Sequence, residues 1–204
     1  LHDERTPKRD PKDACERRKK RPFFNPICHF HRPGVVHGRL GNLRGAPAAE
    51  LLSLEFSKIG ANVVLLGRNE ESLDSVYDEI IATTSAKPLI IKCDLGNIDA
   101  DGAKQINDEI MRAYGRLDGV IFNAAKLGKM STIEDYEEES WKEIFNVNLH
   151  SAFIISKAIL PALKTASNGR IIFTSSGVAE VGRAFWGAYS ASKFAVKGLS
   201  LIHI

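Results

Sequence analysis

Apolar and polar positions along this chain follow two rhythms that take turns. From Ala48 to Lys58 the residues Leu51, Leu52, Leu54 and Phe56 fall at helical spacing, and the pattern stops at Gly60, a residue suited to ending a helix. Residues 61–66 (ANVVLL) follow as a nearly continuous apolar run, the mark of a strand covered on both faces of a parallel sheet. Residues 69–82 then read as helix, 88–93 as strand, Ala100–Tyr114 as an amphipathic helix stopped by Gly115, and 117–122 as strand. A long helix over about 140–163 takes its apolar positions from Trp141, Ile144, Phe145, Val147, Leu149, Phe153, Ile154 and Ile159. The short run Ile171-Ile172-Phe173 is a strand, and a last helical pattern begins at about Ala188. Strand and helix alternating in this way predict an α/β domain with a doubly wound parallel sheet. Such a sheet calls for one more strand near Gly34, followed by glycines that let a backbone approach a phosphate at a helix N-terminus.

Composition narrows the picture. A chain of 204 residues supports a single domain with a real core. No apolar run approaches the length of a membrane span. Cys15, Cys28 and Cys93 are an odd, unpatterned set, which points to reduced thiols and a cytoplasmic setting. The net charge of +3 is carried by the first 21 residues, where nine Lys/Arg stand against five Asp/Glu; the rest is close to neutral. Residues 1–33 have no helical or strand period, so they are expected to be a solvated basic extension, disordered or non-native, rather than a nucleic-acid arm. Cys28, His29 and His31 lack the second paired set that a metal site needs, and no metal is expected.

The chemistry concentrates in 170–197, RIIFTSSGVAEVGRAFWGAYSASKFAVK. Tyr189 and Lys193 stand four apart, which places them on one face of a helix. An ammonium beside a phenol favours its phenolate and makes it a usable proton donor and acceptor. Ser176, at a strand end thirteen residues earlier, is placed to hold the oxygen that the tyrosine protonates. Strand, serine, Tyr-x-x-x-Lys and the Gly-Arg-Ala-x-Trp-Gly-Ala-Tyr-x-Ala-Ser-Lys-Phe-Ala stretch together resemble the short-chain dehydrogenase/reductase family, in particular a bacterial subgroup, over 48–198.

That resemblance implies a Rossmann-like fold and an oxidoreductase that moves hydride between a nicotinamide and a carbonyl or alcohol carbon. It implies catalytic roles for Ser176, Tyr189, Lys193 and Asn148, the last holding a proton-relay water. It also implies a cofactor site at Asp94, Leu95, Asn123, Ala124 and Ala125, with Tyr189 and Lys193 reaching the nicotinamide ribose. Asn123-Ala124-Ala125 departs from the family's Asn-Asn-Ala-Gly at Phe122 and Ala125. The strand over 61–66 ends in Gly67, Arg68 and Asn69 with no acid for a ribose 2′-OH, and Arg68 suits a 2′-phosphate, so NADP is expected rather than NAD. A small carbonyl or alcohol substrate and a homodimer or homotetramer follow by resemblance; nucleic acid and membrane do not. The alternative is a catalytically silent dinucleotide-binding or nucleic-acid-associated module.

Both ends depart from the family. Gly38, Gly41 and Gly45 do not form Thr-Gly-x-x-x-Gly-x-Gly; a one-base shift of the codons for His37–Leu40 can read Thr-Gly-Ala-Ser, so residues 1–47 are either native or out of frame. Residues 199–204, LSLIHI, match the translation of a transposon end used in sequencing libraries, so the domain over 34–198 is expected to be incomplete at its C-terminus and the 204-residue chain inactive by itself.

Overall fold

A computed structural model describes residues 48–202 and, as backbone alone, residues 34–37. The glycine cluster after His37, the basic arm, the Cys28/His29/His31 group and the last two residues lie outside the described residues.

Five strands form one parallel sheet in the order β3-β2-β1-β4-β5: β1 Gly34–His37, β2 Val63–Gly67, β3 Leu89–Lys92, β4 Gly119–Phe122 and β5 Arg170–Phe173. The connections are helical: α1 Ala48–Lys58, α2 Glu70–Thr83, α3 Ala100–Tyr114, then α4 Glu138–Phe145 and α5 Ser151–Thr165 in one run; α6 Gly187–Leu201 follows β5. This is the doubly wound sheet that the alternation predicts. The order of strands reverses beside β1, and in such sheets ligands bind beyond the strand ends at that point.

The strand residues divide by a period of two, and that division builds two cores. Val63 and Leu65 of β2, with Ile121 of β4, pack among Leu54, Leu73, Val76 and Ile80 from α1 and α2. Val64 and Leu66, with Val120 and Phe122, pack among Ile106, Ile110, Ile155 and Ile159 from α3 and α5. Every apolar residue of β2 therefore finds a buried place, which is why its sequence shows no polar alternation.

Helix ends follow from local chemistry. Asn69 caps α2 by accepting from the Ser72 N–H at 3.1 Å, and Asp99 caps α3 by accepting from the Gly102 N–H at 2.8 Å. Gly115, at φ +67°, stops α3 in a left-handed conformation with its N–H donating to the Met111 carbonyl. The long helix expected over 140–163 is not one continuous α-helix. A π-turn, Asn146–His150, separates α4 from α5. Glu138–Thr165 is long and apolar enough to cross a bilayer by length and composition. Its apolar residues Ile144, Ala152, Ile155, Ile159 and Leu163 are instead buried within the domain, as befits a core helix.

Candidate active site

Three segments meet beyond the C-terminal ends of β4 and β5. The first is the continuation of β5. The Thr174 N–H donates to the Phe122 carbonyl at 2.9 Å and its hydroxyl donates to Asn123 Oδ1 at 2.9 Å, locking the two strand ends together. Ser176 follows in extended backbone, and its hydroxyl accepts from the Val178 N–H at 3.5 Å to start a short 3₁₀ turn, Gly177–Ala179. The second segment is α6, which carries Tyr189, Ser192 and Lys193 on one face. The third is the π-turn that carries Asn148. A π-turn inserts one extra residue per turn and re-aims side chains, which is why such turns recur at functional positions.

Lys193 is the anchored member. It is only 4% exposed, its Nζ donates to the Thr174 carbonyl at 2.7 Å, and it stands 5.8 Å from the centroid of the Tyr189 ring. Burial holds its pKa below the ordinary lysine value, because removing an ammonium from water disfavours the charged form. Asn148, also buried, satisfies all three of its facing partners. Its Oδ1 accepts from the Lys126 N–H at 2.7 Å, and its Nδ2 donates to the Lys126 carbonyl at 3.0 Å and to Ser192 Oγ at 2.9 Å. The Ser192 hydroxyl in turn donates to the Tyr189 carbonyl at 2.8 Å. A chain of hydrogen bonds thus runs from the loop after β4, through the π-turn, to the backbone of the tyrosine. Asn148, Thr174 and Lys193 also line a small cavity of about 10 Å³, close to the room one water requires.

A larger cavity, about 350 Å³, opens next to it, with Ala124 and Val147 forming walls of both. Arg68, Asn69, Asp94, Leu95, Ala124 and Ala125 all border it, so six of the expected cofactor residues are brought together. Asn123 is not part of its lining; it is engaged by Thr174. Asp94 both borders the cavity and shapes the turn after β3, accepting from the Gly96 N–H at 3.1 Å and from Asn97 Nδ2 at 2.8 Å. It stands 4.0 Å from the Arg68 guanidinium. Cys93 lies on the same wall, and burial, reinforced by the Asp94 charge, pushes its thiol up to about 11.

A nucleotide fits this cavity on its own terms. The small side chains of Ala124 and Ala125 leave the floor open, Leu95 supplies an apolar surface for a base, and Arg68 supplies a cation at the end of β2. Four participants are not evident from the sequence. Ser192 stands three residues after Tyr189, and its helical spacing is the one available signal. The Thr174 carbonyl is backbone and leaves no trace in residue type. Lys126 and Glu143 border the large cavity as an ion pair, but they are far apart in sequence and share no motif.

Comparison with known proteins identifies the family. The family profile described as short chain dehydrogenase matches residues 49–202. The chain is 38% identical over 147 residues to the "Uncharacterized oxidoreductase YciK" of Escherichia coli K12, covering 72% of this chain and 58% of that protein. It is 34% identical over 149 residues to a 3beta-hydroxysteroid dehydrogenase of Mediterraneibacter gnavus, covering 73% of this chain and 52% of that protein. The chain therefore spans little more than half the length of these curated relatives. Among solved structures, a short chain dehydrogenase from Shigella flexneri complexed with NADP superposes with a TM-score of 0.79 at 34% identity, over 84% of this chain and 70% of that one. With the doubly wound sheet, the Tyr189/Lys193 helix and a profile match through most of its length, the chain belongs to the short-chain dehydrogenase/reductase family.

Proposed function

We propose that this protein is an NADP-dependent oxidoreductase that interconverts a carbonyl and an alcohol, with Tyr189 as the acid and base. The observation that carries this reading is the placement of Lys193: buried, tied to the Thr174 carbonyl and facing the Tyr189 ring. An ammonium held there stabilises the negative charge that the phenol oxygen acquires when it gives up its proton. Tyr189 protonates the carbonyl oxygen in reduction and removes the alcohol proton in oxidation. Ser176, freed of any partner stronger than a 3.5 Å contact, orients that oxygen. Asn148 and Lys193 both border the small cavity, where a water would have room to pass a proton by way of Lys193 toward the tyrosine.

The nicotinamide cofactor, when bound, supplies or accepts the hydride. Arg68 and Asn69 would face its 2′-phosphate, and Asp94, Leu95, Ala124 and Ala125 its adenosine; Asn123 supports that wall through Thr174. NADP- and NADPH-complexed structures among the similar proteins support this choice of cofactor. Tyr189 and Lys193 would reach the nicotinamide ribose. The whole protein acts as a soluble, cytoplasmic homo-oligomer on a small molecule.

The test is carbonyl reduction by the intact protein, followed as NADPH oxidation. Tyr189→Phe is expected to lower turnover by about 10²- to 10⁴-fold, the usual worth of a positioned acid, while NADPH still binds. Undiminished turnover in that variant removes the tyrosine from the mechanism.

A further inference from the structure

Among the described residues, the lining of the large cavity contains two cations and two carboxylates, and they are mated. Arg68 stands 4.0 Å from Asp94, and Lys126 is in direct contact with Glu143. Among the described residues the lining is therefore formally neutral, although the expected ligand carries a diphosphate and a 2′-phosphate. The two pairs differ in closeness. Arg68 is loosely held and well exposed, whereas Lys126 is tightly paired and only a third exposed. The backbone of Lys126 is also fixed, because Asn148 bonds both its N–H and its carbonyl. What is left to move is the four-carbon stem, whose ammonium can rotate from one anion to another without disturbing the loop.

We propose that Lys126 is a second cationic contact for the phosphate groups of the cofactor, and that Glu143 is an internal competitor that holds it in the free protein. The proposal rests on the NADP reading above. An entering phosphate takes Lys126 from Glu143, exchanging one ion pair for another inside the same cavity. Cofactor affinity is then set by the difference between the two pairs, so the carboxylate on α4 weakens binding that the lysine strengthens. No motif marks either residue, and the pair tunes cofactor affinity from the loop after β4 and the face of α4.

The test is fluorescence titration of the intact protein with NADPH and with NADH, in Lys126→Met, Lys126→Arg, Glu143→Gln and the Met/Gln double variant. Lys126→Met is expected to raise the NADPH Kd about tenfold, the worth of one charge-assisted hydrogen bond, and Lys126→Arg to restore most of it. Glu143→Gln is expected to lower the NADPH Kd several-fold and to have no effect once Lys126 is Met. A loss shared by NADPH and NADH places the lysine on the diphosphate; a loss confined to NADPH places it on the 2′-phosphate. Unchanged affinity in Lys126→Met, or unchanged or weaker affinity in Glu143→Gln, overturns the proposal. Glu143→Gln keeps the test alive if the lysine variant does not fold. Failure of the unmutated protein to bind NADPH would instead overturn the cofactor reading.

Discussion

At the scale of single residues, burial decides which groups can react. Lys193 and Cys93 show the two directions of one effect: desolvation lowers the pKa of a base and raises that of an acid. The Cys93 thiol, at about 11, stays protonated at pH 9, where an ordinary thiol is half ionised. Since the thiolate is the nucleophile, alkylation of Cys93 is expected to be slow at pH 9 and to accelerate only as pH approaches 11. The linkage has a definite sign. An acid whose folded pKa is raised contributes stability that is intact below pH 9 and lost between pH 9 and about 11. Mass-spectrometric mapping of alkylated peptides, which separates Cys93 from Cys15 and Cys28, reads this rate directly. Labelling of Cys93 as fast as that of an unfolded control at pH 9 would contradict it. Because Cys93 borders the large cavity, NADPH should slow its labelling further.

At the scale of elements, the connections between helix and strand are tighter than the sequence suggests. Gly169 joins α5 to β5, and a Cβ placed there would sit 2.4 Å from the Leu163 carbonyl oxygen. That oxygen belongs to backbone near the end of a helix, so it cannot simply rotate away. Gly169→Ala is expected to cost about 1–3 kcal/mol, the range for overpacking, and to lower the urea midpoint without changing the slope of the transition. An unaltered midpoint would mean that the α5–β5 turn yields more readily than its geometry implies. Most elements are legible in the sequence, and the reason is local. The runs over 61–66 and Ala100–Tyr114 carry their period in adjacent residues, and Asn69, Asp99 and Gly115 are caps whose chemistry is written in their type. The π-turn at Asn146–His150 is not legible in this way. It changes the register of hydrogen bonds in the middle of a helical pattern, and no residue in NVNLH announces that change. Resemblance is enough to name Asn148 as a site residue, but its triple engagement of Lys126 and Ser192 depends on elements distant in the chain.

At the scale of the whole molecule, the parallel sheet gathers residues that follow β2, β3 and β4 around one cavity, and a ligand there bridges all three strand ends. Arg68 follows β2, Asp94 and Leu95 follow β3, and Ala124 and Ala125 follow β4. A ligand that touches all three stabilises the folded state by mass action, by about 2.7 kcal/mol at a concentration 100 times its Kd. For a domain of this size each kcal/mol moves the melting temperature by about 2–4 °C, so saturating NADPH is expected to raise Tm by about 5–11 °C. NADH at the same concentration should do less. It carries no 2′-phosphate for Arg68, and β2 ends without the carboxylate that a ribose 2′-OH would prefer. Arg68→Ala should bring the two shifts together by reducing the NADPH shift and leaving the NADH shift nearly unchanged. Thermal melts of the intact protein with each nucleotide measure this. Equal shifts with NADPH and NADH in the unmutated protein would show that Arg68 does not read the 2′-phosphate, and the cofactor preference would then have to lie in another part of the cavity wall.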